Sequence, residues 1–304
     1  YDIAKFQVDG KTISGSLSAT VSAPETVWIA VAPKSGSAVK AEVSSVEKFM
    51  DKYNYAILKS AATEKMNGAP VVNERGQIIG IFNAGGTSQS ATDANYAKDF
   101  VVKGLSQNDV ALRQSNIRVG LPNSLEESVV ALMLSSEKPV GTHEALINDF
   151  IAKFPQANEG YYAKANLLVA QNDLVNADKV LQEEVNKATS KDEAHYNYAR
   201  IVYLNSVNSG NADKLKAAGW SLDKALTEVE KAIAIKSLEV YRHLQAQIIF
   251  AKGDYAKAYT EFDALTKTSF KNPELYLEMA QSRQHLGATD KEILDLLNQS
   301  IALC

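Results

Sequence analysis

Small residues recur at a near-fixed spacing through the second half of this chain, and few folds accommodate such a pattern. Ala165, Ala199, Ala246 and Ala280 occupy equivalent places separated by 34, 47 and 34 residues. Their contexts are YYAKANLLVAQND, HYNYARIVYLN, YRHLQAQIIFAKGD and LYLEMAQSRQHLG. A second series, Ala177, Ala225 and Ala258, lies in VNADKVL, DKALTEV and AKAYTEF. Around both series Ala, Leu, Tyr, Lys and Glu recur every three or four residues, the helical period. Two interleaved alanine series predict helix pairs that meet at small residues and bury their apolar faces on neighbouring pairs. Lys214–Trp220 accounts for the long interval as an insertion between the paired helices of the second repeat. Thr142–Pro155 reads as the second helix of an atypical first repeat. A generic helical bundle would explain the period but not these intervals.

A period near 34 with small residues at helix crossings resembles the tetratricopeptide repeat (TPR), most closely in AKGDYAKAYTEFDAL with its Gly-Asp-Tyr turn. The resemblance implies an α-helical TPR-like solenoid in which the first helix of each pair lines a concave groove. The residue after each crossing alanine would project there: Asn166, Arg200, Gln247 and Gln281. One turn earlier come Tyr162, Tyr196 and His243, and one turn later on the second repeat Tyr203. Amide, guanidinium and aromatic groups so placed suit an extended peptide's backbone or terminal carboxylate. The alternatives are solvated helix faces or contacts with the rest of the chain.

The first hundred residues follow a different pattern. Lys11–Val21, Val27–Val31, Val39–Val46, Tyr53–Leu58, Val71–Asn73, Gln77–Phe82 and Asn95–Val101 read as short strands rich in β-branched residues. Pro33-Lys34-Ser35-Gly36 marks a turn, Glu74-Arg75-Gly76 a hairpin, and Ala84–Ala94 a polar loop. So many short strands with regular turns predict a small barrel or sandwich. The expected organisation is a β-barrel over 1–103, a linker over 104–124 and helical repeats over 125–304. Asn116, Gly120, Pro122 and Asn123 mark the linker, and Ser124 with Glu127 forms a capping-box signature at the first helix.

Inside the barrel half, NGAPVVNERGQIIGI at 67–81 resembles the active-site strand of trypsin-like (chymotrypsin-fold) serine proteases, with Asn67 where the nucleophile stands. Tyr1-Asp2-Ile3-Ala4-Lys5-Phe6 is similar to the run that carries the catalytic Asp in the bacterial members. Asn95-Tyr96-Ala97 resembles the strand that closes their substrate-binding side. The likeness covers 1–103 and implies the end of a first barrel and all of a second. It makes Asp2 and Asn67 vestigial protease positions.

An Asn amide has no hydroxyl for a base to activate. All four histidines, His143, His195, His243 and His285, lie in the helical half. The backbone N–H groups of Met66 and Asn67 remain as a candidate vestigial oxyanion pocket. The resemblance as a whole is to exported bacterial proteins that join such a domain to TPR repeats, and it implies a periplasmic or otherwise exported location. The start at Tyr1, already strand-like, reads as a truncation.

Other chemistry is excluded by pattern. Cys304 is the only cysteine, so no intrachain disulfide forms. His143-Glu144 lacks the second histidine of a helical zinc site, and no phosphate loop follows Gly85-Gly86, so no metal or cofactor is expected. A net charge of −4 disfavours nucleic-acid binding, and no apolar run reaches membrane-spanning length. The expected function is a non-enzymatic protein- or peptide-binding scaffold. The alternatives are an endopeptidase completed by upstream sequence, or a structural spacer in a cell-envelope assembly.

Overall fold

A computed structural model describes residues 3, 5, 10–11, 14–32, 37–85, 87–108, 119–207 and 212–303. The chain divides into two compact units, Tyr1–Val101 and Val102–Cys304.

The first unit is a closed barrel of β1 (Glu25–Ala32), β2 (Ser37–Phe49), β3 (Tyr53–Ser60), β4 (Pro70–Asn73), β5 (Ile78–Asn83) and β6 (Gln89–Asp93). The order around the barrel is β1-β2-β3-β6-β5-β4, with every neighbouring pair antiparallel. Closure pairs the strands on both sides and removes free sheet edges. Alternate residues such as Val27 and Ile29, Ala41 and Val43, and Ala56 and Leu58 point inward and meet Val71, Ile79 and Phe82. In the β4–β5 hairpin Asn73 Oδ1 accepts from the N–H groups of Arg75 and Gln77, both at 3.0 Å, and Gly76 supplies the positive φ of 72°.

Two expected strands take other forms. Lys11–Val21 alternates small and polar residues, with little apolar face to bury. Among its described residues only Leu17 bridges, in parallel to Ile78. Asn95–Val101 is not a strand: Ala94–Asp99 is a short helix, α1, whose start is capped by the Asp93 carboxylate accepting from Asn95 N at 2.9 Å. The last barrel strand in sequence is instead β6, inside the expected polar loop, and it lies between β3 and β5. Ser90, Thr92 and Asp93 are buried there. Asp93 Oδ2 accepts from Asn54 N and Nδ2 at 2.9 and 3.1 Å, so this strand is held by polar pairing and shows no apolar alternation.

The second unit stacks helices in pairs: α2 (Leu125–Ser135) with α3 (Val140–Lys153), then α4 (Asn158–Ala170) with α5 (Leu174–Lys187). Next come α6 (Lys191–Val207) with α8 (Leu222–Ile235), separated in sequence by α7 (Ala212–Ala218). The series ends with α9 (Glu239–Ala251) with α10 (Tyr255–Leu265) and α11 (Pro273–His285) with α12 (Asp290–Ile301). Both alanine series mark crossings: Ala165, Ala177, Ala199, Ala225, Ala246 and Ala258 are 0% exposed and Ala280 is 2%. A larger side chain at any of them would force the axes apart.

The turns inside the pairs follow one rule. Asn172, Gly253 and Gly287 sit at the same offset from Ala165, Ala246 and Ala280, and all are left-handed, with φ of 60°, 88° and 73°. The next N–H then reaches back into the ending helix: Asp173 N to Leu168 O at 2.8 Å, Asp254 N to Ile249 O at 3.2 Å, and Ala288 N to Arg283 O at 3.0 Å. Asp173 and Asp254 go on to cap α5 and α10. In the second repeat that offset falls on Ser206, which stays helical, so α6 runs to Val207. The stop is deferred to Gly219, φ 67°, where Trp220 N bonds Leu215 O at 2.8 Å and Ser221 caps α8.

The insertion is therefore an α7 stub that lies against α5. It is pinned by Trp220, 4% exposed, whose Nε1 donates to Asp178 Oδ1 at 2.8 Å, while Tyr198 of α6 donates to the same oxygen.

At the start of this unit a 3-10 turn, Gly104–Asn108, docks on α2. Ser124 Oγ accepts from Glu127 N at 3.2 Å, but the Glu127 carboxylate accepts from Gly104 N at 2.5 Å. Only half of the expected capping box therefore forms.

Candidate functional site

The helices that open each pair carry the expected groove residues. Tyr196, Arg200, Tyr203 and Leu204 of α6 converge with Val240, His243, Leu244 and Gln247 of α9 on a pocket of about 70 Å³. One helical turn separates Tyr196 from Arg200 and His243 from Gln247, which puts each pair on a single face. Arg200 is exposed and its Nη1 donates to Tyr162 Oη of α4 at 2.7 Å. Among the described residues no carboxylate lies within ion-pair distance of this guanidinium. Burial pushes the phenols of Tyr196 and Tyr203 above their ordinary value, keeping both as neutral hydrogen-bonding groups. Tyr196 also packs on the Tyr241 ring at 4.8 Å between centroids.

The other expected groove residues behave differently. His243 is only 8% exposed and sits against the rings of Phe262 and Phe270. Its Nε2 bonds Glu278 Oε2 at 2.6 Å, and Gln247 Nε2 donates to Glu278 Oε1 at 2.7 Å. Together they tie α9 to α11 and form the pocket's wall. Asn166 is exposed but returns its amide to Tyr162 O at 2.8 Å on its own helix. Gln281 is exposed and lies outside the pocket lining.

At the protease-like position Asn67 ends a 3-10 turn, Glu64–Met66. Its Oδ1 accepts from Ala84 N at 2.7 Å, which ties the loop after β5 to the strand entry. Gly68, at φ 88°, makes the turn into β4 and donates to Phe82 O at 2.9 Å. The candidate oxyanion donors are consumed locally: Met66 N donates to Thr63 O at 2.9 Å and Asn67 N to Glu64 O at 3.0 Å. A polar cleft of about 380 Å³ lies beside the turn, lined by Ala62, Thr63, Glu64, Ala84, Thr87, Ser88 and Gln89. Ser60 is outside this lining, and its hydroxyl donates to Gln89 Oε1 at 2.6 Å, an amide oxygen that is too weak a base to activate it. Asp2 lies outside the described residues.

No family model matches the chain, and no curated protein does. Solved repeat structures do. A thermophilic TPR protein of Thermus thermophilus is 13% identical over 60% of this chain and 92% of its own, with a TM-score of 0.46. A TPR protein of Parabacteroides merdae is 14% identical over 65% of this chain and 76% of its own, TM-score 0.41. The TPR protein YrrB, described as having an unusual peptide-binding site, is 13% identical over 64% of this chain and 90% of its own, TM-score 0.39. At such identities and scores the likenesses carry no functional argument. The array rests on its own crossings and turns.

A reading based on the crossing alanines misses the pocket-lining Leu204, Val240 and Leu244, and Glu278, which holds His243 and Gln247 from behind. The first three are apolar and look like core residues in a helical pattern. Glu278 lies one position after Leu277, the residue one turn before Gln281. Leu277 is 42% exposed and breaks the polar series seen at Tyr162, Tyr196 and His243. A carboxylate beside that break was the available signal.

Proposed function

We propose that this protein is a non-enzymatic scaffold that binds a protein or peptide in the groove of its helical array. The reading rests on one observation: Arg200 stands at a pocket of mixed aromatic, aliphatic and polar lining, held by the Tyr162 hydroxyl but neutralised by no described carboxylate. Such a site suits an extended segment whose carboxylate meets the guanidinium while a small apolar side chain enters between Tyr203, Val240 and Leu244. Phosphate-free, acid-containing peptides displayed in a library and read by fluorescence polarisation test it. Binders are expected to lose at least about tenfold in affinity to Arg200→Ala. Binders indifferent to both Arg200→Ala and Tyr162→Phe would sink the groove reading and leave the array as a spacer.

The barrel belongs to the same proposal as an inactive relative of the trypsin-like domain. Three features support this part: Asn67 at the nucleophile position, the use of its side chain to hold Ala84, and the capture of the Met66 and Asn67 N–H groups. Labelling with a fluorophosphonate probe is the direct test, and covalent modification of any barrel serine would restore the endopeptidase reading. An exported location goes with this resemblance and is checked by cell fractionation.

A further inference from the structure

The joint between the α4–α5 pair and α6 is built around a carboxyl group sealed from solvent. Glu184 of α5 is 0% exposed. Its Oε1 accepts two amide hydrogen bonds, from Asn158 Nδ2 of α4 at 2.9 Å and Asn197 Nδ2 of α6 at 2.8 Å. Its Oε2 has no hydrogen-bond partner among the described residues. A neutral carboxyl leaves one polar atom unpaired there, whereas a carboxylate leaves charge, which is far more costly in a dry interior.

The surrounding charges do not relieve it. Glu159 of α4 and Glu193 of α6 both repel a carboxylate at this place. On α5 itself Lys187 pairs with Glu183 at 2.8 Å. Lys191, at the start of α6, gives its ammonium to Val185 O and Asn186 O at 2.6 and 2.7 Å. The Tyr161 hydroxyl of α4 donates to Pro155 O at 2.8 Å. Burial is the main cause that pushes the Glu184 carboxyl from 4.5 up to about 7. The two asparagine amides oppose that rise, and Glu193 and Glu159 add to it.

We propose that this joint is a proton-linked hinge: with Glu184 protonated α4 and α6 are held together, and its ionisation loosens them. The hinge reaches the groove by a short path. Asn158 and Asn197 lie one turn before Tyr162 and Arg200, whose hydrogen bond bridges the same two helices. A carboxyl with a higher pKa in the native state than in the unfolded chain binds its proton more tightly when folded. The stability it confers is therefore complete below about pH 4.5 and is lost as pH rises through about 7.

Trp220 shares a hydrophobic core with Tyr161 and Leu181 and reports on this region once the barrel's Trp28 is replaced by Phe. In the Trp28→Phe full-length chain, urea unfolding followed by Trp220 fluorescence is expected to weaken from pH 5 to pH 8. The folding equilibrium constant should fall on the order of 100-fold. Glu184→Gln, which keeps the shape and removes the charge, is expected to flatten that profile. A Glu184→Gln profile that parallels the parent overturns the hinge. If Glu184→Gln does not fold, Glu193→Gln, an exposed change, is expected to move the transition to lower pH, and an unmoved transition overturns the proposal. The readout involves no ligand, so its failure is separate from failure of the groove reading.

Discussion

Several polar side chains of the barrel and one cation on the helical array are used in contrasting ways. In the barrel Asn67, Asn73 and Asp93 are all turned onto nearby backbone N–H groups, where they hold turns and loop ends. On the array's inner face Arg200 extends into an open pocket with a single phenol as its described partner. The first arrangement makes a self-contained scaffold, since polar groups spent on the fold are not offered to a ligand. The second leaves a charge that a partner can complete. The proposal that binding belongs to the helices draws on that contrast.

The comparison is tested most severely through the barrel core. Phe82 is 1% exposed, and Phe82→Ala is expected to destabilise the barrel by about 3–5 kcal/mol through the lost transfer energy and the cavity left behind. Hydrogen exchange should then accelerate across β1 to β6. Next in size is Asn73→Ala, which strips two backbone N–H groups of their acceptor in the β4–β5 hairpin. A loss of about 1–2 kcal/mol is expected in chemical denaturation, and no change would mean the side chain is not what holds the turn. Arg200→Ala should behave in the reverse manner. It should alter stability by less than about 0.5 kcal/mol while weakening peptide binding. A large stability loss would move Arg200 into the same class as Asn73. The smallest effect is expected from Asn67→Ser. Shortening the side chain loosens Ala84, and the variant should stay unlabelled by fluorophosphonate because the barrel half holds no histidine to act as base.

Legibility in the sequence divides along the same line. The array was readable because one residue type, alanine, has a single physical role at each crossing, and Ala165, Ala199, Ala246 and Ala280 all occupy such places. The hairpin at Asn73–Gly76 was readable for a similar reason, since positive φ favours glycine. Strand β6 was not, because Ser90, Thr92 and Asp93 are buried as polar residues around the single core residue Ala91 and copy the composition of a loop. Asn95–Val101 resembles a strand in sequence since a six-residue helix has little periodicity to display; its signal is Asp93 as a cap. Of the residues next to each alanine, Arg200 and Gln247 line the pocket between α6 and α9. Spacing alone could not show that Asn166 would fold back on Tyr162, nor that His243 would be taken up by Glu278.

The α7 insertion bears on how such an array can be modified. Because Trp220 closes onto Asp178 of α5, the extra residues are held on the side formed by the second helices of the pairs, and Ala199 and Ala225 still meet at 0% exposure. The segment is in effect a splice that the array has already accommodated without losing register. A reporter attached at an exposed α7 position such as Asp213 or Lys216, away from the core-packed Leu215 and Ala218, is expected to leave Arg200 and the proposed pocket unaltered.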